Sequence, residues 1–277
     1  MSFLAEGSGL GWQIIVELLL LGAVTGFLAG LLGIGGGMLM VPFVTLVLSS
    51  KAVPQQHVVK MAVATSLATI LFTSISSVRA HHRRGAVRWD VARLLAPGIV
   101  LGSLLGAQIA KALPSQVLAL LFAAFISSSA TRSFLKKAPR PTRQLPGTVG
   151  MLGAGGVIGT LAALVGAGGA FISVPFMTAR NVPIHNAVAT SAALGMPIAF
   201  GGTVGYVVAG RSLPDLPPGA LGFIYVPALL TIAAASVLTA PLGARAAHRL
   251  NVEQLQRAFA LLLYALAGYM VYTAFDT

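Results

Sequence analysis

The sequence predicts an all-α polytopic membrane protein with about ten membrane segments, two of them short or re-entrant, in two inverted-topology repeats. Three observations carry this. Of 277 residues, 56% are hydrophobic and only 9% charged, whereas a soluble domain carries about a quarter charged residues to hydrate its outside. Apolar stretches of bilayer length recur along the chain. The two halves of the chain also repeat one another.

The first half contains apolar segments at Trp12–Leu31, Met38–Ser49, His57–Val78, Val91–Ala110 and Gln116–Phe134. After a polar break come Thr148–Val165, Ala170–Ala179, His185–Ala209, Gly219–Ala246 and Gln254–Phe275. Met38–Ser49 and Ala170–Ala179 are too short to cross a bilayer comfortably at 1.5 Å per residue. They read as half-helices or re-entrant pieces, which are tolerated only inside protein or beside a cavity. The organisation expected is an N-terminal repeat of five segments over 1–135, a basic cytoplasmic linker over 136–146 and a C-terminal inverted repeat over 147–277. No basic region precedes the first apolar run, so no cleavable leader is expected.

The net charge of +12 resembles that of a nucleic-acid binder until it is mapped. The cations sit in short gaps between apolar stretches, the pattern of loops on an anionic cytoplasmic face, so no nucleic-acid partner is expected. If every segment reverses the chain, 14 of the 18 Lys and Arg fall on one face, including Arg79–Arg93 and Arg132–Arg143. That face is then cytoplasmic and both termini are outside. The location expected is the inner membrane, with multiple passes and the lipid bilayer as partner.

The repeat is carried by LLGIGGGMLMVPF (Leu31–Phe43) and LVGAGGAFISVPF (Leu164–Phe176). Downstream, AVATS at Ala62–Ser66 recurs at Ala187–Ser191, and Gly106-Ala107 pairs with Gly243-Ala244. Five segments per repeat is an odd number, so the second copy enters the membrane upside down. Inverted repeats of this kind are common in secondary transporters, which alternate access by rocking one part against another.

Each glycine cluster lies between a long apolar helix and a short one. Glycines interrupt helices, and the helix that restarts presents free N–H groups and a positive dipole end, which favour an anion. Gly35, Gly36, Gly37, Gly168 and Gly169 are therefore candidate backbone donors to an anion near the midplane. Close helix packing is the alternative, and at Gly22, Gly26, Gly30, Gly155 and Gly159 the four-residue spacing favours packing. Thr65, Ser66, Thr190 and Ser191 are candidate hydroxyl donors, unless they bond backward to their own helix. Asn186, one turn before Thr190, adds amide donors; its counterpart is Met61, so the site is asymmetric. Glu17, inside a segment, is a candidate proton carrier. Lys60 and His185 stand at matching positions, where they attract an anion at an entrance or snorkel to the interface, with snorkelling favoured for Lys60.

No P-loop, metal cluster, catalytic constellation or cofactor motif is read here, and Cys 0 removes thiolate chemistry. An enzyme is not expected. HHRR at His81–Arg84 reads as a topology determinant rather than a metal or nucleotide site.

The paired GxGG…VPF blocks, each followed by an ATS helix, resemble the sulfite exporter TauE/SafE family of membrane permeases from about Gly22 to Tyr272. The resemblance implies export of a small sulfur-containing anion, sulfite or an organosulfonate such as sulfoacetate. An anion channel, or a permease for another small carboxylate or oxyanion, is the alternative. Small-residue faces suit a homodimer and packing within one chain equally.

Overall fold

The computed structural model describes residues 12–32, 37–50, 53–135, 144–246 and 252–275. Ten helices occur among them. The first half holds α1 (Trp12–Leu32), α2 (Gly37–Ser49), α3 (Gln55–Arg83), α4 (Trp89–Ala112) and α5 (Ser115–Leu135). The second holds α6 (Thr148–Val165), α7 (Ala170–Thr178), α8 (Ile184–Gly210), α9 (Val226–Ala246) and α10 (Val252–Phe275). Helices α3, α4, α6 and α8 are long and apolar enough to cross a bilayer, and shorter apolar stretches lie in α1, α2, α9 and α10. The protein is an all-α polytopic membrane protein. Of the expected linker, residues 136–143 lie outside the described residues, as does Lys51.

The nine residues of α7 rise only about 14 Å, well short of the ~30 Å hydrocarbon core. Both short helices carry an internal proline, Pro42 and Pro175. One expected segment begins late. Residues 219–225 form a small antiparallel hairpin, β1 (Ala220–Leu221) on β2 (Ile224–Tyr225), before α9 starts. The reason is local: Gly219 and Gly222 adopt φ of +83° and +57°, a conformation that breaks a right-handed helix and that glycine adopts without penalty.

Glycine spacing sets the helix packing. Gly98, Gly102 and Gly106 of α4 lie against Leu152, Gly156 and Thr160 of α6, so these helices run parallel at backbone contact. Gly22 and Gly26 of α1 lie in the same way against Ile232 and Ser236 of α9. Each glycine interface carries a hydroxyl bond across it: Thr160 Oγ1 donates to the Gly102 carbonyl at 3.0 Å, and Ser236 Oγ to the Gly22 carbonyl at 2.8 Å. Lipid supplies no hydrophobic drive between helices, so such close approach and interhelical bonding hold them together. In contrast, α3 and α8 cross the centre antiparallel, with Leu67 against Gly202 and Ser74 level with Gly195. Much of α3 is buried, from His57 through Ile70.

Candidate functional site

The second glycine elbow meets the start of α2 beside α3 and α8. In the second half, Gly166 ends α6 at φ +69° and Gly169 precedes α7 at φ +71°. No side chain caps α7, so its first N–H groups have only backbone geometry to aim them. In the first half, Gly33, Gly35 and Gly36 lie outside the described residues. Gly37 opens α2, and a Cβ there would lie 2.9 Å from the Gly166 carbonyl oxygen and 2.7 Å from Ile70 Cδ1. A Cβ on Gly166 would meet Val41 and Val63, and one on Gly169 would run into Ile198. Gly37 of the first half is thus in contact with the elbow of the second, with Ile70 of α3 and Ile198 of α8 beside them.

The hydroxyl candidates take a different arrangement. Thr65 Oγ1 accepts the Tyr225 N–H at 3.0 Å, and Thr190 Oγ1 accepts the Arg88 N–H at 2.9 Å. Each ThrSer helix thereby anchors the loop before the fourth helix of the other half. Asn186 Nδ2 donates to the Ala86 carbonyl at 2.9 Å in the α3–α4 loop. Ser191 accepts a 2.8 Å bond from Ser173 of α7, both buried. Ser66 is fully buried, and among the described residues its hydroxyl has no partner.

The antiparallel register of α3 and α8 places Ser66 near the level of Thr203, and Ser191 near the level of Val78, which packs with Ala189 and Ala193. Twelve residues of helix, about 18 Å, therefore separate the two ThrSer pairs. The Thr65–Ser66 pair is level with the elbows, between Val63 beside Gly166 and Ile70 beside Gly37, whereas Ser191 lies farther along and is tied to them through Ser173 of α7.

Lys60 is buried, and its Nζ donates to the Lys111 carbonyl at 2.8 Å. The cation thus satisfies the last turn of α4, where the helix dipole is negative. His185 and Glu17 are exposed on α8 and α1. Three contributors escaped the sequence reading. Ser173 stands where the first half has Met40, and a serine inside an apolar half-helix was its one signal. Ile70 and Ile198 gave none, being apolar residues among many.

The sequence profile described as "Sulfite exporter TauE/SafE" matches residues 18–270. The chain belongs to this family. A "Probable membrane transporter protein" of Haemophilus influenzae is 38% identical over 255 residues, covering 91% of this chain and 96% of that protein. One from Methanocaldococcus jannaschii is 25% identical over 91% of this chain and 92% of its own. YdhB of Bacillus subtilis, described in the same words, is 29% identical over 71% and 79%. No solved structure matches. As a TauE/SafE member, the protein is a multi-pass membrane transporter, and its bacterial relatives accord with the inner membrane.

Proposed function

We propose that this transporter exports a small sulfur-containing anion, sulfite or an organosulfonate such as sulfoacetate, by alternating access between two inverted halves. The observation that carries this is the contact between Gly37 and the Gly166–Ala167 backbone, which brings an interrupted helix from each half to one place. Gly35, Gly36, Gly37, Gly168 and Gly169 would offer backbone N–H groups there, a form of anion recognition that needs no buried cation. Ser66, level with the elbows, and Ser191, bonded to Ser173 of α7, would serve as hydroxyl stations along the path. Thr65 and Thr190 accept from loop N–H groups and keep their own hydroxyl hydrogens to donate. Asn186 keeps its second amide hydrogen in the same way.

Inversion of the halves is supported by matched contacts. Gly22 and Gly26 pack on α9 as Gly155 and Gly159 pack on Leu95 and Ile99 of α4. Thr65 holds the loop before α9 as Thr190 holds the loop before α4. The equivalent helices α3 and α8 run antiparallel, as inversion requires.

An inside-negative potential drives an anion outward by about 2.3 kcal/mol per charge at 100 mV. Proteoliposomes loaded with labelled sulfite or sulfoacetate should therefore show protein-dependent, saturable efflux that accelerates when the interior is made negative. Efflux of neither anion overturns the cargo. Unitary currents under clamped potential would replace alternating access with a channel.

A further inference from the structure

A groove with a basic end lies away from the elbows. Phe72, Ile75, Ser76, Arg79 and Arg83 of α3 recur at helical spacing along one face, and with Val237 of α9 they line an open groove of about 490 Å³. This volume is within the range of small-molecule sites. Its ends differ in chemistry. Phe72, Ile75 and Val237 are apolar and exposed, whereas Arg79 and Arg83 lie one turn apart, and no acid among the described residues lines the groove. Among the described residues neither guanidinium has an ion-pair or hydrogen-bond partner. The stripe runs eleven residues, about 16 Å, from an apolar start to a cationic finish.

Depth is marked nearby. Trp89, at the start of α4, is partly exposed and its Nε1 donates to His82 Nδ1 at 3.2 Å. Tryptophan with a polar tip is characteristic of the membrane–water boundary. With Trp89 at that boundary, Arg79 and Arg83 would stand at headgroup level, and Phe72 and Ile75 below them among acyl chains.

We propose that this groove binds one anionic phospholipid, its phosphate held by Arg79 and Arg83 and its acyl chain lying along Phe72, Ile75 and Val237. Basic pockets between transmembrane helices on the cytoplasmic side suit such headgroups. The proposal is independent of the transported cargo, requiring only the membrane-spanning fold.

The test is native mass spectrometry of the purified full chain in neutral detergent, titrated with phosphatidylglycerol or phosphatidylcholine. Two arginines at about 1 kcal/mol each give phosphatidylglycerol a preference of roughly thirtyfold. In R79Q/R83Q the ratio should fall close to one, and Val237→Trp should weaken both lipids by filling the groove. Both arginines are exposed, so the double variant should fold. Equal binding of the two lipids to the wild type, or a preference that survives in R79Q/R83Q, overturns the proposal. So does displacement by sulfite or inorganic phosphate at concentrations that saturate transport, which would make the groove a vestibule for small anions.

Discussion

Gly102→Val is expected to abolish recovery of folded protein. A Cβ at Gly102 falls on the carbonyl of Gly156, and Gly98 and Gly106 press α4 onto α6 on either side. The obstacle is backbone, which no rotamer change can move aside. The helices must separate, losing the Thr160 bond to the Gly102 carbonyl and the dispersion contacts of the interface. Overpacking of this kind costs about 3 kcal/mol or more, the upper end of its usual range. Gly153→Ala is the matched control, because nothing lies within 4 Å of its Cβ position and alanine is the better helix former. Size-exclusion profiles of detergent-extracted protein should be monodisperse for Gly153→Ala and aggregated for Gly102→Val. Two normal profiles would mean that the α4–α6 contact is not what holds the halves together.

The second large effect falls on transport. Gly169→Ala should fold yet lose at least roughly tenfold in efflux rate. The residue has φ +71°, where an L side chain costs roughly 1–2 kcal/mol, about a factor of ten. The new methyl also meets Ile198 Cδ1, so relaxation would turn the start of α7 away from its present aim. Gly168→Ala provides the comparison. Its φ is not positive and its Cβ position is open, and alanine retains the N–H. It should transport at close to the wild-type rate. Equal rates for the two variants would remove the elbow geometry from the mechanism.

The helices were legible because a bilayer demands long apolar runs broken by polar gaps, and that demand is written locally. Thr148–Val165 agrees to the residue and the others within a few residues, except α9, which starts late, and α3, whose polar end runs on to Arg83. That extension carries His81, His82 and Arg83 and is polar by composition, so hydropathy alone ends the helix too soon. The delay of α9 was missed because Gly219 and Gly222 act through backbone conformation, while the surrounding residues stay apolar. The packing role of Gly22, Gly26, Gly155 and Gly159 was readable from spacing.

At the site, local pattern was a poorer guide. Thr65 and Thr190 were marked by repetition, yet their partners, Tyr225 and Arg88, lie 160 and 102 residues away in sequence. Backbone N–H groups in loops leave no compositional trace. Lys60 illustrates the same limit: the Lys111 carbonyl that holds it is set by tertiary packing and leaves no mark near Lys60 in the sequence.

The opposite orientation of the two halves has a direct measurement, and the chain's lack of cysteine leaves a clean background for it. Gly85 lies exposed in the loop between α3 and α4, and Leu221 exposed in the hairpin between α8 and α9. Gly85→Cys and Leu221→Cys should each react with a membrane-impermeant maleimide from one side only. Gly85→Cys should react from the cytoplasm and Leu221→Cys from the opposite face. Labelling of both from the same side would contradict inverted halves, and with them the meeting of two opposed helix ends around an anion.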